Sequence, residues 1–250
     1  AQKKISSILS SIDRKICTNT RLNDYLDEAA NAIFERWLAS AEGERVSISE
    51  IADLNPDTYS PKEKWPLVQY LDTGSITRGT ISGFQVIEPA IEKLPSRARR
   101  KVQSGDIVYS TVRPNQEHYG ILLNPDDNVL VSTGFTVVRS VNELICPEAL
   151  YLFLTQDRLT KNLQQIAEQS MSTYPSIKSD DLGALDMPLP ADEEAQELKA
   201  SLGALFELMN ANRNECVKLA ELRDALLPKL MTSEIDVSKV DLTQLNNHLA

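Results

Sequence analysis

Residues 5–38, ISSILSSIDRKICTNTRLNDYLDEAANAIFERWL, contain neither proline nor glycine, and their apolar side chains recur at steps of four and three. Ile5, Leu9, Ile12, Ile16, Asn19, Asn23, Leu26, Ala30, Ile33 and Trp37 mark one line along a helix. That line is a heptad seam interrupted by two asparagines. It recurs near the other end of the chain as Leu198, Leu202, Leu205, Met209, Asn212, Cys216, Leu219, Arg223, Leu226 and Leu230. A constant offset of 193 residues superposes the two, laying Asn19 on Asn212, Glu28 on Glu221, Ala32 on Ala225 and Ile33 on Leu226. This is an internal repeat. It implies two long helices with the rest of the chain between them.

Each helix would run about 50 Å at 1.5 Å per residue. Neither buries its stripe alone, so the helices pair with each other or with a second copy. The residues expected at that contact are Ile12, Ile16, Asn19, Leu26, Ile33, Leu205, Met209, Asn212, Leu219 and Leu226. A plain two-helix structural hairpin satisfies the same pattern. Asparagine in a seam costs stability and fixes register, which suits a spacer of defined length. Pro188 and Pro190 precede the second helix, Asp192 can cap it, and Glu193 and Glu194 favour the positive end of its dipole. Pro228 is expected to kink or end that helix. Gly43 is expected to cap the first helix in a left-handed conformation.

Between the helices the texture changes to short apolar runs broken by Asn-Pro, Asp-Thr-Gly, Ser-Gly and Asn-Pro-Asp-Asp turns. The pattern predicts strands near residues 65–70, 106–112, 119–123 and 129–138. Helices follow over residues 147–156 and 159–169, then a polar loop at 172–177. The fold class is α+β: one mixed α/β domain, residues 41–190, flanked by two long helices that form an antiparallel coiled coil. The helices occupy residues 1–40 and 191–231, and 232–250 is a tail.

Composition narrows the function. The chain has 250 residues, 42% apolar and 25% charged, a globular balance with a core of real size. No run of 18 apolar residues is present, so no membrane span is expected. The N-terminus reads straight into a helix without a signal-peptide layout. Cys17, Cys146 and Cys216 are odd in number and far apart, which fits a reducing cytosol, and a cytoplasmic location is expected. His118 and His248 cannot assemble a zinc site.

The net charge of −10 opposes nucleic-acid binding. Against it, Leu94-Pro95-Ser96-Arg97-Ala98-Arg99-Arg100, Gly105-Asp106 and Ser110-Thr111-Val112-Arg113-Pro114 hold four arginines in a short segment. Arginine's planar fork donates paired hydrogen bonds to phosphates and guanine edges. Arg97, Arg99, Arg100 and Lys101 read either as a solvated charged face or as a DNA contact. Arg113 precedes Pro114, which is expected to hold it extended at a sheet rim. Gln116 and His118 follow within reach, and glutamine can read adenine bidentately. Ser172, Thr173 and Tyr174 lie in the polar loop. Tyr174 either stacks on a base or sugar or packs on its own domain.

No catalytic apparatus appears. There is no G-x-x-x-x-G-K-[ST] loop and no G-x-G-x-x-G turn. Asn55-Pro56-Asp57-Thr58-Tyr59 resembles the Asn-Pro-Pro-Tyr of DNA adenine methyltransferases but lacks the second proline, and reads as a turn. No acidic-x-Lys follows Pro56-Asp57 to complete a nuclease motif. Ser110 and Ser132 lack a histidine base oriented by an acid. No catalytic residue, metal ligand or cofactor is expected.

Six pieces, in order, then resemble one family. They are Gln2–Asp13, the Leu94–Pro114 elements, Ser132-Thr133-Gly134-Phe135, Ser172-Thr173-Tyr174-Pro175-Ser176-Ile177, Pro188-Leu189-Pro190 and Leu222–Met231. Together they are similar to the specificity subunits of type I DNA restriction–modification enzymes. The resemblance implies a non-catalytic subunit that reads a few base pairs of double-stranded DNA in the major groove. It implies helices that dock methyltransferase (modification) subunits, and a restriction/translocase subunit that joins for cleavage. S-adenosylmethionine and ATP then belong to those partners. A full-length subunit alternates two recognition domains with two spacer helices, whereas this chain has one domain and both helices. It resembles either a half subunit or the C-terminal part of a full one. A half subunit is expected to form a homodimer through antiparallel helices of two copies, reading a bipartite palindrome. An adaptor without sequence-specific DNA binding is the alternative.

Overall fold

A computed structural model of the chain describes residues 2–169, 174–232 and 234–235. Helix α1 (Gln2–Ser40) leads into strand β1 (Arg45–Ser47), the short helix α2 (Ile48–Ile51) and β2 (Ala52–Leu54). Strands β3 (Val68–Leu71), β4 (Ile76–Thr77), β5 (Thr80–Ile81), β6 (Gln85–Ile87) and β7 (Ala98–Lys101) follow. Then come β8 (Ile107–Ser110), β9 (Tyr119–Ile121), β10 (Val129–Ser132) and β11 (Phe135–Ser140). Helices α3 (Pro147–Leu154), α4 (Asp157–Glu168) and α5 (Ser179–Gly183), strand β12 (Asp186–Pro188) and helix α6 (Asp192–Met231) follow among the described residues. The fold is α+β, with a sheet-rich middle and long terminal helices. Two units divide it: residues 1–32 with 204–250, and residues 33–203.

In the first unit α1 and α6 run antiparallel within one chain. Asn19 Nδ2 donates to Glu215 Oε2 at 2.7 Å, Asn212 Nδ2 to Asn23 Oδ1 at 2.8 Å, and Asn23 Nδ2 to the Met209 carbonyl at 3.1 Å. Asn19 and Asn212 are buried. Their amides therefore satisfy one another's neighbours across the seam instead of standing orphaned. At the far end Ile8 and Leu230 are buried, with Ile5, Leu9, Leu226 and Ile235 packed around them. The two seams thus face each other within one chain. Pro228 does not end α6; the helix runs on to Met231, and Thr232 N–H donates to the Pro228 carbonyl at 3.0 Å. Proline so near a helix end interrupts little of the hydrogen-bond ladder downstream.

The second unit is built from two four-stranded sheets. One has the order β6-β3-β10-β7, parallel only between β3 and β10; the other is antiparallel in the order β2-β11-β8-β9. Alternation along the strands sorts side chains to two faces. Leu71, Val129 and Val131 share a core with Val108, Phe135 and Val137. Leu130, Val68, Tyr70 and Ala98 point the other way, to a second cluster with Tyr59 and Ile87. The 129–138 run is therefore two strands in two sheets. The chain changes sheet at exposed Thr133 and buried Gly134, where Gly134 N–H donates to Ser132 Oγ at 3.2 Å. Strands β8 and β9 and helices α3 and α4 fall within or beside the ranges the pattern predicts, while β7 does not.

Gly43 does not take a left-handed φ. It is needed for space: a Cβ there would overlap the Leu189 carbonyl oxygen. The close approach follows from β1 pairing with β12 and from Leu189 N–H donating to the Glu44 carbonyl at 2.9 Å.

Candidate nucleic-acid interface

Four of the segments singled out in the sequence meet along one rim of the second unit, laced by backbone hydrogen bonds. Thr133 N–H donates to the Arg97 carbonyl at 2.9 Å. Thr111 donates to the Gly134 carbonyl from its amide at 2.8 Å and from its hydroxyl at 3.0 Å. Ile177 N–H donates to the Thr111 carbonyl at 2.9 Å, and Arg113 N–H to the Pro175 carbonyl at 2.9 Å. Residues up to 66 apart in sequence are thus fixed side by side. Arg97, Thr133, Arg113, Gln116 and Tyr174 are all exposed on this rim. Ser172 and Thr173 lie outside the described residues.

Arg113 is not extended. Its φ of 48° and ψ of 70° are left-handed. Proline at the next position disfavours the right-handed helical region, and in the left-handed basin the Arg113 N–H meets the Pro175 carbonyl. The Gln116 N–H closes the turn on the Arg113 carbonyl at 2.9 Å, and Pro114 is buried. The Arg113 guanidinium carbon lies 5.3 Å from the centroid of the Tyr174 ring. His118 is turned inward: Nδ1 is 2.6 Å from the Ile76 carbonyl.

The arginine stretch forms β7, an edge strand, held by residues 57–59. Tyr59 N–H donates to the Arg99 carbonyl at 2.7 Å and Lys101 N–H to the Asp57 carbonyl at 3.1 Å. Register shifts between Val131 and Ser132, so Arg99 is an extra residue in the ladder. Such a bulge re-aims a side chain. Arg99 Nε reaches the Ser96 carbonyl at 3.4 Å. Arg100 pairs with Val131, whose face belongs to the intersheet core. The Arg100 Nε is buried without a partner, and burial lowers the guanidinium's proton affinity. Lys101 is engaged within the fold: its ammonium pairs with Glu63 and sits 5.5 Å from the Trp65 ring centroid. The Lys101 ammonium, and then the Ser60 amide, hold the Glu63 carboxyl below its ordinary range. Beside this strand Tyr59, Trp65, Leu94, Lys64, Lys93 and Arg99 line a cleft of about 530 Å³.

The Gly105-Asp106 piece serves the core. Asp106 is fully buried, and its carboxylate accepts Arg139 Nε and Nη2, each at 2.8 Å, and the Gln103 N–H at 2.8 Å. Arg139 Nη1 also reaches Asp57 at 2.6 Å. Bonding to Asp106, above all, raises the Arg139 pKa well beyond its ordinary value. Nothing local in the sequence signals Arg139, because its partners stand 33 and 82 residues away. The Asn55 turn is likewise structural: Asn55 Oδ1 accepts the Val137 N–H at 3.0 Å.

The family described as the type I restriction modification DNA specificity domain matches residues 42–219. The HindI type I restriction enzyme specificity subunit of Haemophilus influenzae is 28% identical over 162 residues, 65% of this chain and 35% of that protein. The HsdS subunit from Thermoanaerobacter tengcongensis superposes with a TM-score of 0.54 at 26% identity, over 79% of this chain and 50% of that one. The S subunit of the type I restriction–modification system of M. genitalium gives 0.56 at 18% identity, over 90% and 59%, a likeness of fold. The chain spans about a third to three-fifths of the length of these relatives.

Proposed function

The chain belongs to the type I restriction modification DNA specificity domain family, and from that premise we propose that it is the DNA-reading subunit of a type I restriction–modification complex. Residues 41–190 are the target-recognition domain, 1–40 and 191–231 the spacer helices, and 232–250 a tail. The domain binds double-stranded DNA and directs adenine methylation, and restriction, by partner subunits at a bipartite site. The chain itself carries out neither reaction. The observation that carries this reading is the rim. Separate segments bring Arg97, Arg113, Gln116 and Tyr174 to one exposed edge, with Ser172 and Thr173 adjoining them in sequence. Arg99, Arg100 and Lys101 lie on the adjoining strand.

The helix pair docks the methyltransferase subunits and a second copy. Within the chain the seam is already occupied, so a homodimer uses other helix faces or exchanges seams between copies. Single-molecule methylome sequencing tests the reading, in cells carrying the methyltransferase with and without this chain. A chain-dependent methylated adenine in a gapped palindrome is expected. A gapped asymmetric motif would refute the homodimer and require a second recognition domain. No chain-dependent methylation, with the methyltransferase proven competent, would refute DNA recognition and leave an adaptor.

A further inference from the structure

We infer that Arg113, stacked on Tyr174, reads a guanine in the target, so that one position of the recognised sequence is a G·C pair set by this side chain. The inference rests on the DNA-reading function proposed above. It begins from the backbone. A φ of 48° is unfavourable for any residue with a long side chain, and glycine would hold it at no steric cost. Three fasteners impose the conformation: the bond to Pro175, the bond from Gln116 and buried Pro114. None of them uses the Arg113 side chain. Strain of this kind, kept by the surroundings, concentrates at functional sites.

The side chain's own surroundings give it a direction. Arg113 makes no ion pair among the described residues, whereas Arg78 is paired with Glu117, Arg139 with Asp57 and Asp106, and Arg223 with Asp13 and Asp224. Its partner is a ring. Aromatic contact holds a guanidinium while leaving its N–H edge available for paired hydrogen bonds in the guanidinium plane. Guanine O6 and N7 are the base-edge acceptors that match that fork, and an orientation fixed beforehand lowers the entropy lost on binding. A phosphate contact needs no such orientation; a mobile lysine makes it as a point charge.

The test is methylome sequencing of the complex with Arg113→Ala, Arg113→Lys, Arg113→Gly and Tyr174→Ala, beside thermal melting of each purified chain. In the Ala, Lys and Gly variants, preference for G·C at a single position should fall about 10- to 100-fold, the range a bidentate pair supplies. Tyr174→Ala removes the ring under the guanidinium and should lower the same preference. Arg113→Gly should melt no lower than wild type, because it relieves the left-handed backbone. Three results would overturn the inference. One is an unchanged motif with methylation lowered at all sites alike, the mark of a phosphate contact. Another is full retention of the motif by Arg113→Lys. The third is a lower melting temperature in Arg113→Gly with its motif intact, the mark of a structural role. Absence of any methylation with the wild-type chain, while a two-domain specificity subunit activates the same methyltransferase, would overturn the DNA-reading function itself.

Discussion

Replacing Asp106 by alanine separates a structural role from a recognition role within the arginine-rich segment. Asp106 is fully buried and accepts three hydrogen bonds, two of them from Arg139. Breaking a buried pair from one side costs about 3–5 kcal/mol, because the remaining charge stays desolvated. Arg139 retains Asp57, a half-exposed partner, and its own side chain is 16% accessible. That places the cost at the lower end, about 3 kcal/mol, or a fall in melting temperature of roughly 6–12 °C for a unit of this size. Asp57→Ala removes an ion pair half open to water and should cost about 1 kcal/mol or less. Trp37 and Trp65, the chain's two tryptophans, both lie in residues 33–203, so tryptophan fluorescence reports on this unit. Urea and thermal unfolding by that signal should rank Asp106→Ala well below Asp57→Ala. Equal midpoints for the two variants would refute the reasoning. So would an Asp106→Ala chain as stable as wild type that fails only in directing methylation.

Two other perturbations follow from burial. Leu219 is buried in the helix seam and Leu26 is half-buried, so Leu219→Asp should cost about 3 kcal/mol or more and Leu26→Asp less. Far-UV circular dichroism should show early loss of helix, larger for Leu219→Asp; two variants melting like wild type would remove these residues from the seam. The Cys146 thiol is pushed up to about 11 by burial, while Cys17 is exposed. A folded value above the unfolded one of about 8.5 gives stability that is full below pH 8.5 and lost as pH rises toward 11. Iodoacetamide at neutral pH should therefore label Cys17 and spare Cys146 until the chain unfolds, and equal labelling of the native protein would contradict the burial.

The helices were legible because a heptad pattern carries its own period, and ten positions in each repeat keep it. Which helix pairs with which was not, since one seam serves an intrachain or an interchain partner equally. Strands β8 and β9 were legible from compact apolar runs. Strand β7 was hidden: Arg99, Arg100 and Lys101 have little strand propensity, and they become a strand because Val131 and residues 57–59 offer a ladder on each side. The split of residues 129–138 was hidden for the opposite reason. Both halves are apolar, and only the Thr133-Gly134 crossing distinguishes them. At the site, exposed arginines could be found by type, but neither the left-handed φ of Arg113 nor the Tyr174 ring beneath it has a local signature.

The acidic balance of the chain acquires a physical meaning once charges are assigned to partners. Residues 91–101 hold five cations and one carboxylate, a local excess in a chain of net charge −10. Lys101 is compensated by Glu63, and Arg78, outside that stretch, by Glu117. Arg97, Arg100 and Arg113 make no ion pair among the described residues, and Arg100 already lies half-buried on the intersheet face. Affinity for a duplex grows with the number of phosphates neutralised, and each contributes its own increment to the salt dependence. Two exposed arginines supply little of that term, and the remaining negative charge of the chain repels the duplex. What they can supply is discrimination, where one well-oriented fork decides between base pairs. In the DNA-reading function proposed above, most of the phosphate contacts therefore fall to the methyltransferase subunits. It is for this reason that the tests of recognition use the assembled complex, where a lost base contact changes the motif and not merely the binding of an acidic chain to a polyanion.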